Sequence, residues 1–145
     1  MGEIMDFMME DHQRLDALFK RYREAKHEDL VAALEAFQSF RQGLEQHIQW
    51  EEEILFPVFE KRTQMMEQGP TMVMRMEHRQ IKSLLTNIES LLKDDKAPPE
   101  SIDEELILLL KRHNQKEETV LYPWMDDVLT PEERANLLSR IHDMK

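Results

Sequence analysis

The sequence predicts an all-α fold: an antiparallel, up-and-down four-helix bundle with a short extra C-terminal helix. Three observations carry this. Only three glycines interrupt 145 residues rich in Glu, Leu, Met, Lys, Arg and Gln, the types that lose least on entering a helix. Apolar residues recur every three or four positions through four long segments, which is the period of a one-sided helix. The breaks between segments are short and marked by Gly or Pro, so successive helices become antiparallel neighbours.

Residues 3–24 form the first expected helix, with Ile4, Met8, Leu15, Leu18, Phe19 and Tyr22 near one stripe and His12 on the same side. The second opens near Asp29 and runs to about Arg62, its stripe being Leu34, Phe37, Phe40, Leu44, His47, Glu51 and Leu55. Gln68-Gly69-Pro70 is the clearest break, and Pro70 suits the first turn of a third helix ending near Lys93. Met74, His78, Ile81, Leu85, Ile88 and Leu92 make its inner face. After the polar turn DDKAPPES, Ser101 and Glu104 offer a capping box for a fourth helix to about Asp127. Its stripe is Leu106, Leu109, Leu110, His113, Glu117 and Leu121. Thr130-Pro131-Glu132-Glu133 caps a last helix to about His142, a lid or brace.

The length suits one domain over residues 1–145, built from halves at about 3–63 and 69–127 with the C-terminal helix at about 130–143. Thirty acidic against nineteen basic residues give a net charge of −11, and no basic block follows a phosphate backbone or an anionic membrane. Nucleic acid is not an expected partner. The absence of cysteine excludes disulfides, thiolate catalysis and thiolate metal sites. The stretch MGEIMDFMMEDH lacks the basic flank of a secretory signal, and no apolar run reaches membrane-spanning length. The expected location is the cytoplasm.

The functional signal is a repeat. HIQWEEEILFP at residues 47–57 returns as HNQKEETVLYP at 113–123, an offset of 66. His12 precedes His47 by 35 residues, and His78 precedes His113 by the same interval. The pattern His…His-x-x-x-Glu therefore occurs twice, as the duplication of a helix pair. At the same offset Met8 meets Met74, Leu18 meets Leu84, Glu52 meets Glu118, Leu55 meets Leu121 and Pro57 meets Pro123, while Phe56 with Tyr122 keeps apolar character. On a helix, four-residue spacing puts imidazole and carboxylate on one face, one turn apart. Either proline is expected to kink or end its helix just beyond the glutamate.

A single His/Glu pair at that spacing is an ordinary solvated pair in so acidic a chain. Six polar residues on four apolar stripes, related by one offset, are not. Packing the halves about a pseudo-twofold axis gathers His12, His47, Glu51, His78, His113 and Glu117 at the bundle centre, where unpaired carboxylates cost several kcal/mol in order of magnitude. A cation removes that cost. Imidazole nitrogens suit first-row transition metals and a carboxylate can bridge two ions, so the set suggests a dinuclear site completed by solvent or a small molecule. His27 and His142 fall opposite Lys93 and Met76 at the offset and read as surface histidines. Asp16 falls opposite Lys82 and reads as outward or supporting; Glu52, Glu53 and Glu118 read as solvated or as hydrogen-bond partners of ligating imidazoles. Trp50 and Trp124 are expected at helix surfaces or ends, and most of the eleven methionines in the core.

Together, EDHQRLDALF around His12, HIQWEEEILFP, MEHRQIKSLL around His78 and HNQKEETVLYP resemble the hemerythrin-like, or HHE cation-binding, family from about residue 3 to residue 127. The resemblance implies a four-helix bundle around a non-haem di-iron centre with a bridging oxo, hydroxo or water. His12, His47, His78 and His113 would be terminal iron ligands, and Glu51 and Glu117 the bridges. Oxygen-carrying members have a further histidine one turn before the one matching His78; here that position is Met74, with Met8 in the symmetric place. Thioether is a poor iron ligand beside imidazole, so the expectation is a more symmetric site with open positions lined by Met8 and Met74. The first functional expectation is a protein binding O2 or another diatomic such as NO, for storage, sensing or protection. The second is an enzyme reducing peroxide or nitric oxide, or repairing iron clusters, and the third a metal-stabilised interaction module. A ferritin-like oxidase fits less well, because only Glu24-His27 has the Glu-x-x-His spacing.

Overall fold

The computed structural model describes residues 2–65 and 68–144. Its helices are α1 (Glu3–Lys26), α2 (Leu30–Trp50), α3 (Phe56–Thr63), α4 (Pro70–Lys93), α5 (Glu100–Lys116), α6 (Tyr122–Val128) and α7 (Pro131–Met144). Glu51–Leu55 and Glu117–Leu121 are single π-helical turns that join α2 to α3 and α5 to α6 without a break. The four rods are thus 3–26, 30–63, 70–93 and 100–128, and no strand occurs among the described residues. No described helix is long and apolar enough to cross a membrane.

Cross-rod contacts establish the antiparallel order. Asp11 meets His47 while Phe19 meets Phe40, and Ile4 meets Asp126 while Tyr22 meets Asp103, so rising numbers on one rod face falling numbers on its neighbour. Gly43 lets α1 and α2 approach closely, since a Cβ there would lie 2.9 Å from the Leu15 side chain.

The ends follow local chemistry with one exception. The Asp29 carboxylate accepts from the Val31 amide and caps α2. Gly69, at φ 101°, turns the chain into Pro70 at the first position of α4. Thr130 and Glu133 form a reciprocal capping box for α7. The exception is Ser101–Glu104: α5 starts two residues earlier than that box requires, with Pro99 as N-cap and no side-chain cap, and Glu104 bonds Arg23 instead.

Pro57 and Pro123 neither end nor break their rods. Each π turn closes with an amide five residues beyond a glutamate, Phe56 to the Glu51 carbonyl and Tyr122 to that of Glu117. Widening that turn accommodates the proline that follows, whose ring clashes with the carbonyl four residues back and which lacks an N–H.

The core has two apolar clusters with a polar layer between them. Ile4, Met8, Trp50, Phe56, Phe59, Met74, Tyr122 and residues of α7 pack at one end, and Leu15, Phe19, Tyr22, Phe37, Phe40, Ile81, Ile88 and Leu106 at the other. On every rod the histidine falls at the boundary. α7 braces the first end: Leu137 and Ile141 join the cluster, while Arg134 bonds the carbonyls of Asp126 and Leu129 and pairs with Glu3. The opposite end is tied by buried Lys26, which reaches Asp103 at 2.6 Å and the Pro98 carbonyl at 3.0 Å. Trp50, 1% exposed, belongs to the core rather than to a helix surface: it is the point at which the second rod passes from the cluster of Leu44 and Ile48 into that of Ile54 and Leu55. Trp124 meets Phe59 edge-on at 5.1 Å.

Candidate metal centre

The six residues singled out by the repeat meet in the polar layer, and none is more than 4% exposed. α1 and α4 contribute His12 and His78 from their buried stripes. α2 and α5 contribute His47 and His113, and the glutamates Glu51 and Glu117 follow at the first position of each π turn.

All four imidazoles are held alike. Nδ1 of His12 lies 2.7 Å from Glu118, that of His47 2.7 Å from Asp11, that of His78 2.7 Å from Glu52, and that of His113 2.8 Å from Glu77. An ionised carboxylate only accepts, so each Nδ1 carries the proton and, in the neutral ring, each Nε2 turns a lone pair inward. The supports obey the offset of 66 as faithfully as the histidines do: Asp11 maps onto Glu77 and Glu52 onto Glu118. Glu52 and Glu118 were foreseen as possible partners of ligating rings. Asp11 and Glu77 were not, although each immediately precedes a site histidine.

The glutamates are splayed between the halves. Glu117 turns Oε1 to His12 at 3.2 Å and Oε2 to His113 at 3.4 Å, while Glu51 turns Oε1 to His78 at 3.1 Å and Oε2 to His47 at 3.9 Å. Two neighbouring sets of donor atoms result, His12 and His47 in one, His78 and His113 in the other, with one oxygen of each glutamate in both. Glu51, His78, His113 and Glu117, and likewise His12, His47 and Glu117, present atoms within 4.8 Å of one another.

Tyr122 breaks the symmetry. Its hydroxyl lies 2.6 Å from Glu51 Oε2 and 2.9 Å from Glu117 Oε1, and 3.4 Å from Nε2 of both His12 and His47. At the equivalent place Phe56 stacks on His78, with ring centroids 5.9 Å apart and planes 5° apart. In the set without a hydroxyl, Glu51 Oε1, His78 Nε2 and Glu117 Oε2 are buried and lack a hydrogen-bond partner. The 3.1 Å approach of His78 Nε2 to Glu51 Oε1 is a hydrogen bond only in the protonated ring; in the neutral ring a lone pair faces the carboxylate oxygen. Buried acceptors facing one another are costly, and a cation between them satisfies all three. The donor set therefore fits a metal.

The titration behaviour has the same cause. Burial disfavours the cationic ring of His12, but Glu117 and Glu118 outweigh it and hold His12 up at about 9. Burial likewise opposes Glu51 and Glu52 at His78, which is also held at about 9. Burial and the neighbouring Glu117 push Glu51 upward; burial acts the same way on Glu117, but His113, Glu51 and His12 keep it well below the carboxylate range. Burial, Glu117 and Glu51 raise the Tyr122 phenol well above its ordinary value. Metal loading must displace protons here.

A cleft of about 650 Å³ between α1 and α5 reaches His12 and Glu118, with Met9, Phe19, Ile107 and Leu110 on its walls. Met8 and Met74 are 0% and 2% exposed within the first apolar cluster, one turn from His12 and His78, and do not line this cleft. Asp16 lies at its rim. His27 and His142 are exposed, as is Glu53.

A family model described as the hemerythrin HHE cation binding domain matches residues 3–125 of the chain. No curated protein and no solved structure matches it.

Proposed function

The chain belongs to the hemerythrin HHE cation-binding domain family, and on that footing we propose that it is a di-iron protein binding O2 or another small diatomic such as NO, for storage, sensing or protection. The observation that supports this most is the pair of facing donor sets, with three buried atoms that one cation between them would satisfy together. In this reading His12 and His47 would hold one iron, His78 and His113 the other, with Glu51 and Glu117 available to both. Two iron ions with a bridging hydroxide or water would supply reversible redox chemistry and open positions for a small ligand.

The chain's own residues would do the rest. Asp11, Glu52, Glu77 and Glu118 fix each ring's orientation and raise its basicity through Nδ1. The apolar clusters above and below keep water from the centre. The cleft beside His12 gives a small molecule a path from solvent to one side of the pair.

The test is an anaerobic ferrous reconstitution followed by O2 addition and removal, with the visible spectrum recorded throughout. A charge-transfer band that appears with O2 and disappears on its removal supports reversible binding. Irreversible oxidation with peroxide consumption would replace this reading with an enzyme reducing peroxide or nitric oxide on the same scaffold.

A further inference from the structure

We propose that Tyr122 is itself a metal ligand, its phenol oxygen completing the position held by His12 and His47, so that the two metals differ chemically. The inference rests on the metal-centre reading above and adds to it a seventh protein donor and an inherent inequality between the sites.

The geometry carries it. Around one ion with bonds of about 2.0–2.2 Å, donor atoms at right-angle to tetrahedral spacing stand about 2.8–3.6 Å apart. The Tyr122 oxygen stands 2.6, 2.9, 3.4 and 3.4 Å from four such atoms, Glu51 Oε2, Glu117 Oε1, His47 Nε2 and His12 Nε2. These are all four donors of one position and none of the other. A structural hydroxyl explains this less well: donating to one glutamate and accepting from one protonated ring takes two neighbours, and four surround this oxygen. Nor does packing require an oxygen at this point, because the related residue across the pseudo-twofold is Phe56, equally buried and content to stack on His78. The three unsatisfied atoms all lie in the half that Phe56 serves. Coordination makes one oxygen–metal bond and breaks one O–H bond, with the proton leaving to solvent and no change in oxidation state.

Because the chain has only two tyrosines, the test is direct. Iron-loaded protein is oxidised to the diferric state, and its visible and resonance Raman spectra are recorded with ordinary and ring-deuterated tyrosine. The expected result is a phenolate-to-iron band whose Raman modes shift on deuteration, survive Tyr22→Phe and vanish in Tyr122→Phe while two irons stay bound. Tyr22 is a suitable control because its hydroxyl bonds Asp103 at the other end of the bundle. Should Tyr122→Phe fail to fold, the isotope shift and the Tyr22→Phe spectrum still decide. Two bound irons without tyrosine-sensitive modes, or modes that persist in Tyr122→Phe, overturn this inference alone. Fewer than two irons in the unsubstituted protein overturns it together with the function proposed above.

Discussion

Glu51 and Glu117 each turn one oxygen to a histidine of their own half and the other to a histidine of the opposite half. A residue with one donor cannot replace either. Glu51→Ala or Glu117→Ala is expected to lower bound iron from two per chain to one or none by metal analysis, and normal content in both variants would contradict the bridging role. The supporting carboxylates have a smaller effect. Glu77→Ala removes the partner of His113 Nδ1 and is expected to weaken metal binding about 10–100-fold while leaving two sites, measured by competition with a chelator. The histidines make metal-free stability depend on pH. His12 and His78 stand at about 9 in the fold against 6.5 when unperturbed. Their folded value is the higher, so their stabilising contribution is complete below about pH 6.5 and is lost as pH rises through about 9. The thermal midpoint of metal-free protein is expected to fall across that window, and metal affinity to rise as the rings release protons. A metal-free midpoint that rises with pH over the same range would contradict the assignment.

At the scale of elements, the rods are also tied far from the polar layer. Lys26 sits against Asp103, their side chains 4% and 0% exposed. Lys26→Met leaves that carboxylate in the core with the Tyr22 hydroxyl but without its cation and is expected to cost about 3–5 kcal/mol in denaturant unfolding, without changing how many metals the folded protein holds. Thr130→Ala removes half of the α7 capping box and is expected to cost about 0.5–2 kcal/mol. The effect should be confined to the braced end, so hydrogen exchange would increase in α7 before it does around His78. The π turns show how an element can escape prediction: Pro57 and Pro123 mark a disturbance in the helix, but their positions do not say whether it breaks, bends or widens. Widening prevailed because each rod still has apolar surface to bury beyond the proline, at Phe59 and Met125.

For the whole molecule, a polar layer between two apolar clusters is where a bound cation would add to stability. Metal at about a thousandfold over its dissociation constant adds roughly 4 kcal/mol, which in a chain of this size raises the thermal midpoint by roughly 8–16 °C; a midpoint insensitive to metal would contradict the layer's role. The bundle and the six inward residues were legible because duplication repeats a sparse pattern at one offset, and helical periodicity places it on the buried face. The four Nδ1 partners were only half legible. A carboxylate beside a histidine carries no signal in so acidic a chain, although applying the offset to Asp11 leads to Glu77. Tyr122 was hidden for another reason: opposite Phe56 it looks like one aromatic replacing another, and its hydroxyl gains meaning only when the π turn delivers it between Glu51 and Glu117. That single oxygen, present in one donor set and not in the other, is where the two halves differ. The central claim, that this layer is a dinuclear metal site, is tested most directly by counting. After anaerobic ferrous loading and removal of free metal, the protein is expected to hold two irons per chain, and one or fewer would contradict the account.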